Sequence, residues 1–325
     1  MSRQGQARER TYENIRQFWD SEAAELGETP AVTIRDHYFR VHELHTLQTL
    51  IPRTRALLDI GCGTGFGTVM LARRAERTTG GDYSEAMIRW AQRLVEDEAY
   101  RNALADDLSP LAPLAAADIR FSVANIVDLD VPGAPFDTVT GQRILINLPT
   151  HDEQMKALDN LRRVAAPGAL LIMTEAVLQG HRRTDEYRGR FGLPPLEKYW
   201  HNNYVDEDRY GEWSDHGWRV ASLLSFDTYA LLSKVVYPAA RGQDRCRFLS
   251  GANQAAMEVA NLFRTRAAAR ELGGDRALLD FYVERVRRYD ADEADSIARW
   301  ADGRDDDLGD WSRLGHQRLV VARAV

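Results

Sequence analysis

Tyr12, Ile15, Phe18 and Trp19 recur at the spacing of one helix face, and Tyr38, Val41, Leu44, Leu47 and Leu50 do so again. Residues 1–50 are therefore predicted to form a helical extension. From Ala56 the pattern changes to short apolar runs alternating with longer amphipathic stretches, the signature of β-α units in a parallel sheet. Strands are predicted at 56–60, 78–82, 119–125, 136–141 and 170–176, with helices at 65–74, 84–104 and 152–164. Beyond Gln179 the stretch HRRTDEYRGRFGLPPLEKYWHNNY is polar, aromatic and interrupted by Pro, Gly and Asn, which reads as a loop or cap over the sheet edge. A helix over 206–216 stops at Gly217, a strand follows over 218–226, and another helix starts at Thr228. Residues 241–313 carry long charged amphipathic segments expected of a helical insertion, and 317–325 returns to strand character. The organisation predicted is an N-terminal cap (1–50), a core (51–180), a cap loop with the sixth strand (181–240), the insertion (241–313) and a final core strand (314–325).

With 325 residues, the chain can bury a full α/β core and carry additions. No stretch approaches the roughly 18 to 20 apolar residues of a bilayer span. The N-terminus lacks the apolar run of a secretory signal, so a cytoplasmic setting is expected. Cys62 and Cys246 are read as free thiols in a reducing compartment. A net charge of −7 argues against nucleic acid as a partner. Of 42 basic residues only Lys156, Lys198 and Lys234 are lysines, a skew attributed to a GC-rich genome.

In LLDIGCGTG an apolar strand ends at Ile60 and a helix opens after Gly65. Glycines at 61, 63 and 65 permit a tight turn and let the backbone approach a ligand, while free N–H groups at the helix start favour a polar or anionic moiety. A dinucleotide fingerprint would place its third glycine at position 66, which is Phe66. The pattern favours S-adenosylmethionine instead. Asp59 is placed to face the cationic amino group of its methionine portion, and Asp82, ending the next strand, to accept from both ribose hydroxyls.

These segments resemble the class I S-adenosylmethionine-dependent methyltransferases. LLDIGCGTG is similar to the family's first motif and GGDYSEAMIRWA to its second, with Asp82 in the ribose place, Tyr83 beside it and Met87 near the adenine. In FSVANIVDL, Asn125 stands where the family usually has Asp, just before the adenine-contacting position, Ile126. FDTVTGQRILINL resembles the fourth-strand motif, bringing Gln142 to the cofactor edge, and LRRVAAPGALLIMTE resembles the turn into strand five, with Ala169 for the second glycine. The resemblance spans 12–226 and is strongest over 57–175. It implies an α/β, Rossmann-like seven-stranded sheet with an antiparallel last strand, and N-terminal helices folded over the cofactor. It further implies methyl transfer to an O or N atom of a small molecule, in natural-product or glycan biosynthesis. Two rivals stay open: a non-catalytic S-adenosylmethionine-binding regulator, and a nucleotide-dependent oxidoreductase.

Glu175, ending strand five, either lines the substrate crevice, as wall or base, or caps a neighbouring helix. Arg143, just past strand four, either holds an acidic substrate group or pairs with Asp36 or Glu43 of the extension. Tyr38, His37, His201 and Tyr204 are candidate pocket walls. The run His42-Glu43-Leu44-His45 lacks the H-E-x-x-H spacing, so no metal is expected. Arg304 to Asp307 is read as a solvated loop, and the insertion as a surface for a homodimer.

Overall fold

The computed structural model describes residues 9–27, 29, 32–105, 118–304 and 308–325. Asp305, Asp306 and Asp307, read above as a solvated loop, lie outside the described residues. Seven strands form one sheet: β1 (Thr54–Ile60), β2 (Ala75–Asp82), β3 (Asp118–Val123), β4 (Phe136–Gln142), β5 (Ala165–Ala176), β6 (Trp218–Ser225) and β7 (Gln317–Ala324). Their spatial order is β3-β2-β1-β4-β5-β7-β6. The first five are parallel, and β7 runs antiparallel between β5 and β6. This is the predicted Rossmann-like topology.

Successive residues of a strand point to opposite faces, so a sheet covered on both sides needs apolar residues at both parities. Leu57, Leu170, Ile172 and Leu319 enter one core, while Leu58, Ile60, Leu171, Met173 and Val320 enter the other. The second core is closed by α6 (His151–Val164), which begins in a capping box between Thr150 and Glu153. The first is closed by α2 (His37–Leu50), α3 (Phe66–Leu71) and the insertion. N-terminal to these lies α1 (Tyr12–Leu26), capped by Thr11. After β2 comes α4 (Glu85–Glu96), capped by Ser84. The single helix predicted over 84–104 is broken at Asp97, where α5 (Glu98–Ala105) starts.

Two stretches differ more from the sequence pattern. The segment after Gln179 opens in a helix, α7 (Leu178–Gly189), rather than in a loop. Its buried face is polar: Thr184 accepts from the Gly315 N–H, Tyr187 donates to the Leu308 carbonyl, and Arg188 is buried. Long-range hydrogen bonds do there what an apolar stripe usually does. The helical run after β6 comprises α8 (Asp227–Leu231), a π-helical turn over Leu232–Val236 and α9 (Tyr237–Arg241). It is followed by α10 (Gly251–Leu262), α11 (Arg266–Arg270), α12 (Asp275–Arg287) and α13 (Ala291–Asp302). These helices are continuous with the core beneath α2: Val259, Leu278, Tyr282 and Ile297 share one cluster with Leu44, Leu47 and Leu57.

Candidate active site

At the carboxyl end of β1 the turn runs through three left-handed glycines, Gly61 (φ 72°), Gly63 (φ 55°) and Gly65 (φ 79°). The N–H groups of Gly61 and Cys62 donate to the Gly81 carbonyl at 2.7 and 3.1 Å, tying the turn to β2. A Cβ on Gly61 would lie 2.8 Å from Ile144 Cδ1, and one on Gly63 would lie 2.6 Å from Thr33 Cγ2. Both glycines line a cavity of about 500 Å³. Gly65 does not; a Cβ there would meet Phe121 and Ala91 at 2.8 and 2.9 Å, so it serves the packing of α4 and β3 against the turn.

Asp82 closes the turn from β2. Its Oδ2 accepts the Gly63 N–H at 2.8 Å and its Oδ1 the Ser84 N–H at 2.9 Å. Each carboxylate oxygen keeps a second lone pair, enough for the two hydroxyls of a ribose. Desolvation raises its carboxyl above the ordinary value, opposed by these N–H donors. Tyr83, Met87, Ala124, Asn125, Ile126 and Gln142 follow along the cavity wall. Asn125 Oδ1 already accepts the Val127 N–H at 3.1 Å and keeps one lone pair for a further donor. Asp59 is placed differently from the expectation that it faces the ligand. It is fully buried and lies outside the cavity wall, accepting from Thr68 Oγ1 at 2.6 Å and from Gln142 Nε2 at 3.3 Å. Burial pushes its carboxyl up to about 6. It orients Gln142, and Gln142 reaches the wall.

These groups fit S-adenosylmethionine: a backbone cradle that a Cβ would fill, a carboxylate for the ribose, and an amide and apolar wall for the adenine. The candidates for chemistry divide. Glu175 is a cap: it is fully buried, with Oε1 accepting the N–H groups of Ile144 and Leu145 at 3.0 and 2.9 Å and Oε2 that of Ile146 at 3.2 Å. Burial pushes its carboxyl up, to about 8, while those three N–H groups pull it down. With its oxygens held in this way and no place in the cavity wall, its expected role as wall or base is corrected to structural. Tyr38 is likewise corrected. It lies outside the wall and donates to Gln254 Oε1 at 3.1 Å, because its helix face turns toward α10. His37 also lies outside the wall.

Arg143 lines the cavity and pairs with Glu43, Nη1 to Oε1 at 2.5 Å, so one of its two expected partners is the one it meets. Tyr204 lines the cavity too, stacked on His316 at 6.0 Å between ring centroids, and burial raises its hydroxyl to about 12. His201 is 4% exposed and boxed by Phe18, Trp19 and Tyr199 at 4.4, 5.5 and 5.7 Å between centroids. Its Nδ1 is buried with no hydrogen-bond partner, and desolvation lowers the imidazole to about 4. It is a neutral ring at the cavity wall, its Nδ1 buried and unpartnered.

The N-terminal helices were expected to fold over the cofactor, but the individual residues that tie α1 there were not named from the sequence. Trp19 donates to Asn147 at 3.2 Å, Asp20 accepts from Ser84 Oγ at 2.6 Å, and the Ala23 carbonyl accepts from Trp90 Nε1 at 3.1 Å, so α1 is tied over the cofactor side of the cavity. At the other end lie Asp36, Arg188, Tyr229 and Lys234, with Gln243, Cys246, Arg247 and Phe248 from the insertion. Separations of up to 198 residues between partners leave no local signal for them in the sequence.

Residues 58–173 match the family model described as a methyltransferase domain. An O-methyltransferase, resE, of Aspergillus sclerotiorum is 30% identical over 145 residues, 43% of this chain and 48% of that protein. A dTDP-4-amino-2,3,4,6-tetradeoxy-D-glucose N,N-dimethyltransferase of Saccharopolyspora spinosa is 27% identical over 180 residues, 55% of each chain. Among solved structures, the N-methyltransferase NodS of Bradyrhizobium japonicum, in complex with S-adenosyl-L-homocysteine, overlaps 65% of this chain and 89% of its own, at 19% identity and a TM-score of 0.42. The chain spans about half the length of the curated relatives it matches. Over residues 58–173 the chain is thus similar to methyltransferase domains, and its seven-stranded sheet has the Rossmann-like order.

Proposed function

We propose that the chain binds S-adenosylmethionine across the carboxyl ends of β1, β2 and β4 and methylates an O or N atom of a small molecule. The observation that carries this reading is the pairing of the Gly61–Gly63 cradle with Asp82 at one end of a walled cavity. Gly61, Gly63, Asp82, Tyr83, Met87, Asn125, Ile126 and Gln142 would hold the cofactor, with Asp59 and Gly65 supporting them from behind. When bound, the cofactor supplies an electrophilic methyl group on a sulfonium sulfur. The chain's own work is to hold the acceptor in line, exclude water and take the proton the acceptor must lose. His201, a neutral ring, and Tyr204 would form the wall against which the acceptor lies.

A small-molecule acceptor suits the enclosed cavity, and the net charge of −7 suits a chain that does not act on nucleic acid. None of the described helices is long and apolar enough to cross a membrane. Two free thiols suit a reducing, cytoplasmic setting, and Leu262, 58% exposed on α10, offers a surface for a homodimer. Mass spectrometry of the ligand released on denaturing the purified protein tests the cofactor. Recovery of S-adenosylmethionine or S-adenosylhomocysteine is expected, and a nicotinamide nucleotide would overturn the reading. Acceptor-dependent formation of S-adenosylhomocysteine separates an enzyme from a binding protein.

A further inference from the structure

The end of the cavity away from the glycine turn has its own chemistry. Lys234 sits on the π-helical turn that interrupts the run from α8 to α9. Such turns inside α-helices are frequent at functional sites. Its ammonium pairs with Asp36 and lies 5.9 Å from the centre of the Tyr229 ring and 5.5 Å from that of Phe248. Asp36 is already well supplied: its Oδ1 also accepts from the Tyr229 hydroxyl at 2.5 Å and from the Phe39 N–H at 3.2 Å. Arg188, 1% exposed, reaches the same place and donates to the Lys234 carbonyl. Its other bonds go to the Pro194 carbonyl at 2.9 Å and to Gln243 Oε1 at 2.7 Å, so every partner it bonds is a neutral oxygen. Lys234 is thus paired with Asp36, while Arg188 bonds only neutral oxygens and feels the charge of Asp185; both keep N–H donors beyond the bonds they make.

Composition adds an independent observation. Lysine supplies only three of the 42 basic residues, yet one of the three, Lys234, lines this cavity and a second, Lys198, holds its ammonium 4.5 Å from the centre of the Tyr204 ring, which also lines it. The surrounding wall is aromatic, with Tyr229, Tyr237 and Phe248.

We propose that this end of the cavity is an acid-binding subsite, and that the methyl acceptor is an aromatic hydroxy-acid whose carboxylate is received by Lys234 and Arg188. The proposal rests on the methyltransferase reading for the word acceptor, but the subsite itself does not depend on it.

The test uses salicylate and salicylamide as probes, which share a ring and a hydroxyl and differ in charge. S-adenosylhomocysteine is first titrated calorimetrically into the whole protein, and each probe is then titrated with and without it. Salicylate is expected to bind at least tenfold more tightly than salicylamide. Lys234→Met is expected to abolish that preference while leaving S-adenosylhomocysteine affinity unchanged, and Lys234→Arg to retain it. Because Lys234→Met strands Asp36, the double variant Asp36→Asn/Lys234→Met is measured beside it and is expected to lose the preference equally. Equal affinity for the two probes, no binding of salicylate, or a preference that survives in both neutral variants overturns the proposal. Absent binding of S-adenosylhomocysteine overturns the methyltransferase reading alone, since the preference between probes is read without it as well.

Discussion

Arg143 reaches back to Glu43, Nη1 to Oε1 at 2.5 Å, with their side chains 16% and 1% exposed. The pair joins the end of β4 to the middle of α2. Removing one partner of a buried pair leaves the other charge unsolvated, at a cost of about 3–5 kcal/mol. Glu43→Gln and Arg143→Met are each expected to destabilise the fold on that scale, and the double variant to recover much of the loss. Urea unfolding of the three proteins checks this, and additive losses would count against a direct pairing.

Asp82→Asn keeps the shape of the site but removes its charge. Each charge-assisted hydrogen bond to the ribose is worth about 1.5–3 kcal/mol, so affinity for S-adenosylhomocysteine should fall by at least roughly tenfold. Calorimetry on a folded variant showing wild-type affinity would remove Asp82 from the ribose site.

Gly63→Val is doubly penalised, by a positive φ that a β-branched residue avoids and by Thr33 standing 2.6 Å from the new Cβ. Cofactor binding is expected to disappear while the circular dichroism of the sheet persists. Normal binding in this variant would mean that the turn does not touch the ligand.

Stability should fall on acidification because of His201. Its folded value, lowered to about 4, lies below the unfolded value near 6.5, so the unfolded chain binds the proton first. The stability it contributes is present above pH 6.5 and is lost as pH falls toward 4, by up to about 1.4 kcal/mol per pH unit. His42 and His316, also buried and lowered, to about 4 and about 3, add to the same slope. His201→Gln should flatten the dependence of the urea midpoint between pH 5 and 7, and an unchanged slope would show that the imidazole is already protonated or solvated in the fold.

Deleting residues 1–33 removes α1 and its ties while leaving every strand. The shortened chain is expected to keep its sheet, by circular dichroism, and to lose most methyl transfer to the true acceptor. Undiminished turnover would show that α1 covers nothing the reaction needs.

The sheet and the cofactor end were legible because their requirements are local. A left-handed turn needs glycine, and a doubly covered strand needs apolar residues at every position. Of the candidate pocket walls read from the sequence, His201 and Tyr204 do line the cavity, and on the proposed reading they face the acceptor. Glu175 was correctly placed at the edge of β5, but nothing in the sequence tells whether a carboxylate there turns to the crevice or to three neighbouring N–H groups. Tyr38 fits a helix face that could equally have met the ligand or α10. α7 escaped the pattern because Thr184, Tyr187 and Arg188 bury it by hydrogen bonds to Gly315, Leu308 and Pro194, partners that periodicity does not report.

α1 and the stretch after it border the glycine turn at Thr33 and the His201 box at Phe18 and Trp19. On the proposed reading, α1 therefore serves as a door common to both reactants, hung on the ties of Trp19 to Asn147, Asp20 to Ser84 and Ala23 to Trp90. Spent cofactor and methylated product would queue behind it. The rhythm of turnover would then belong to the breaking and remaking of three hydrogen bonds, and the displacement at sulfur would wait on the door.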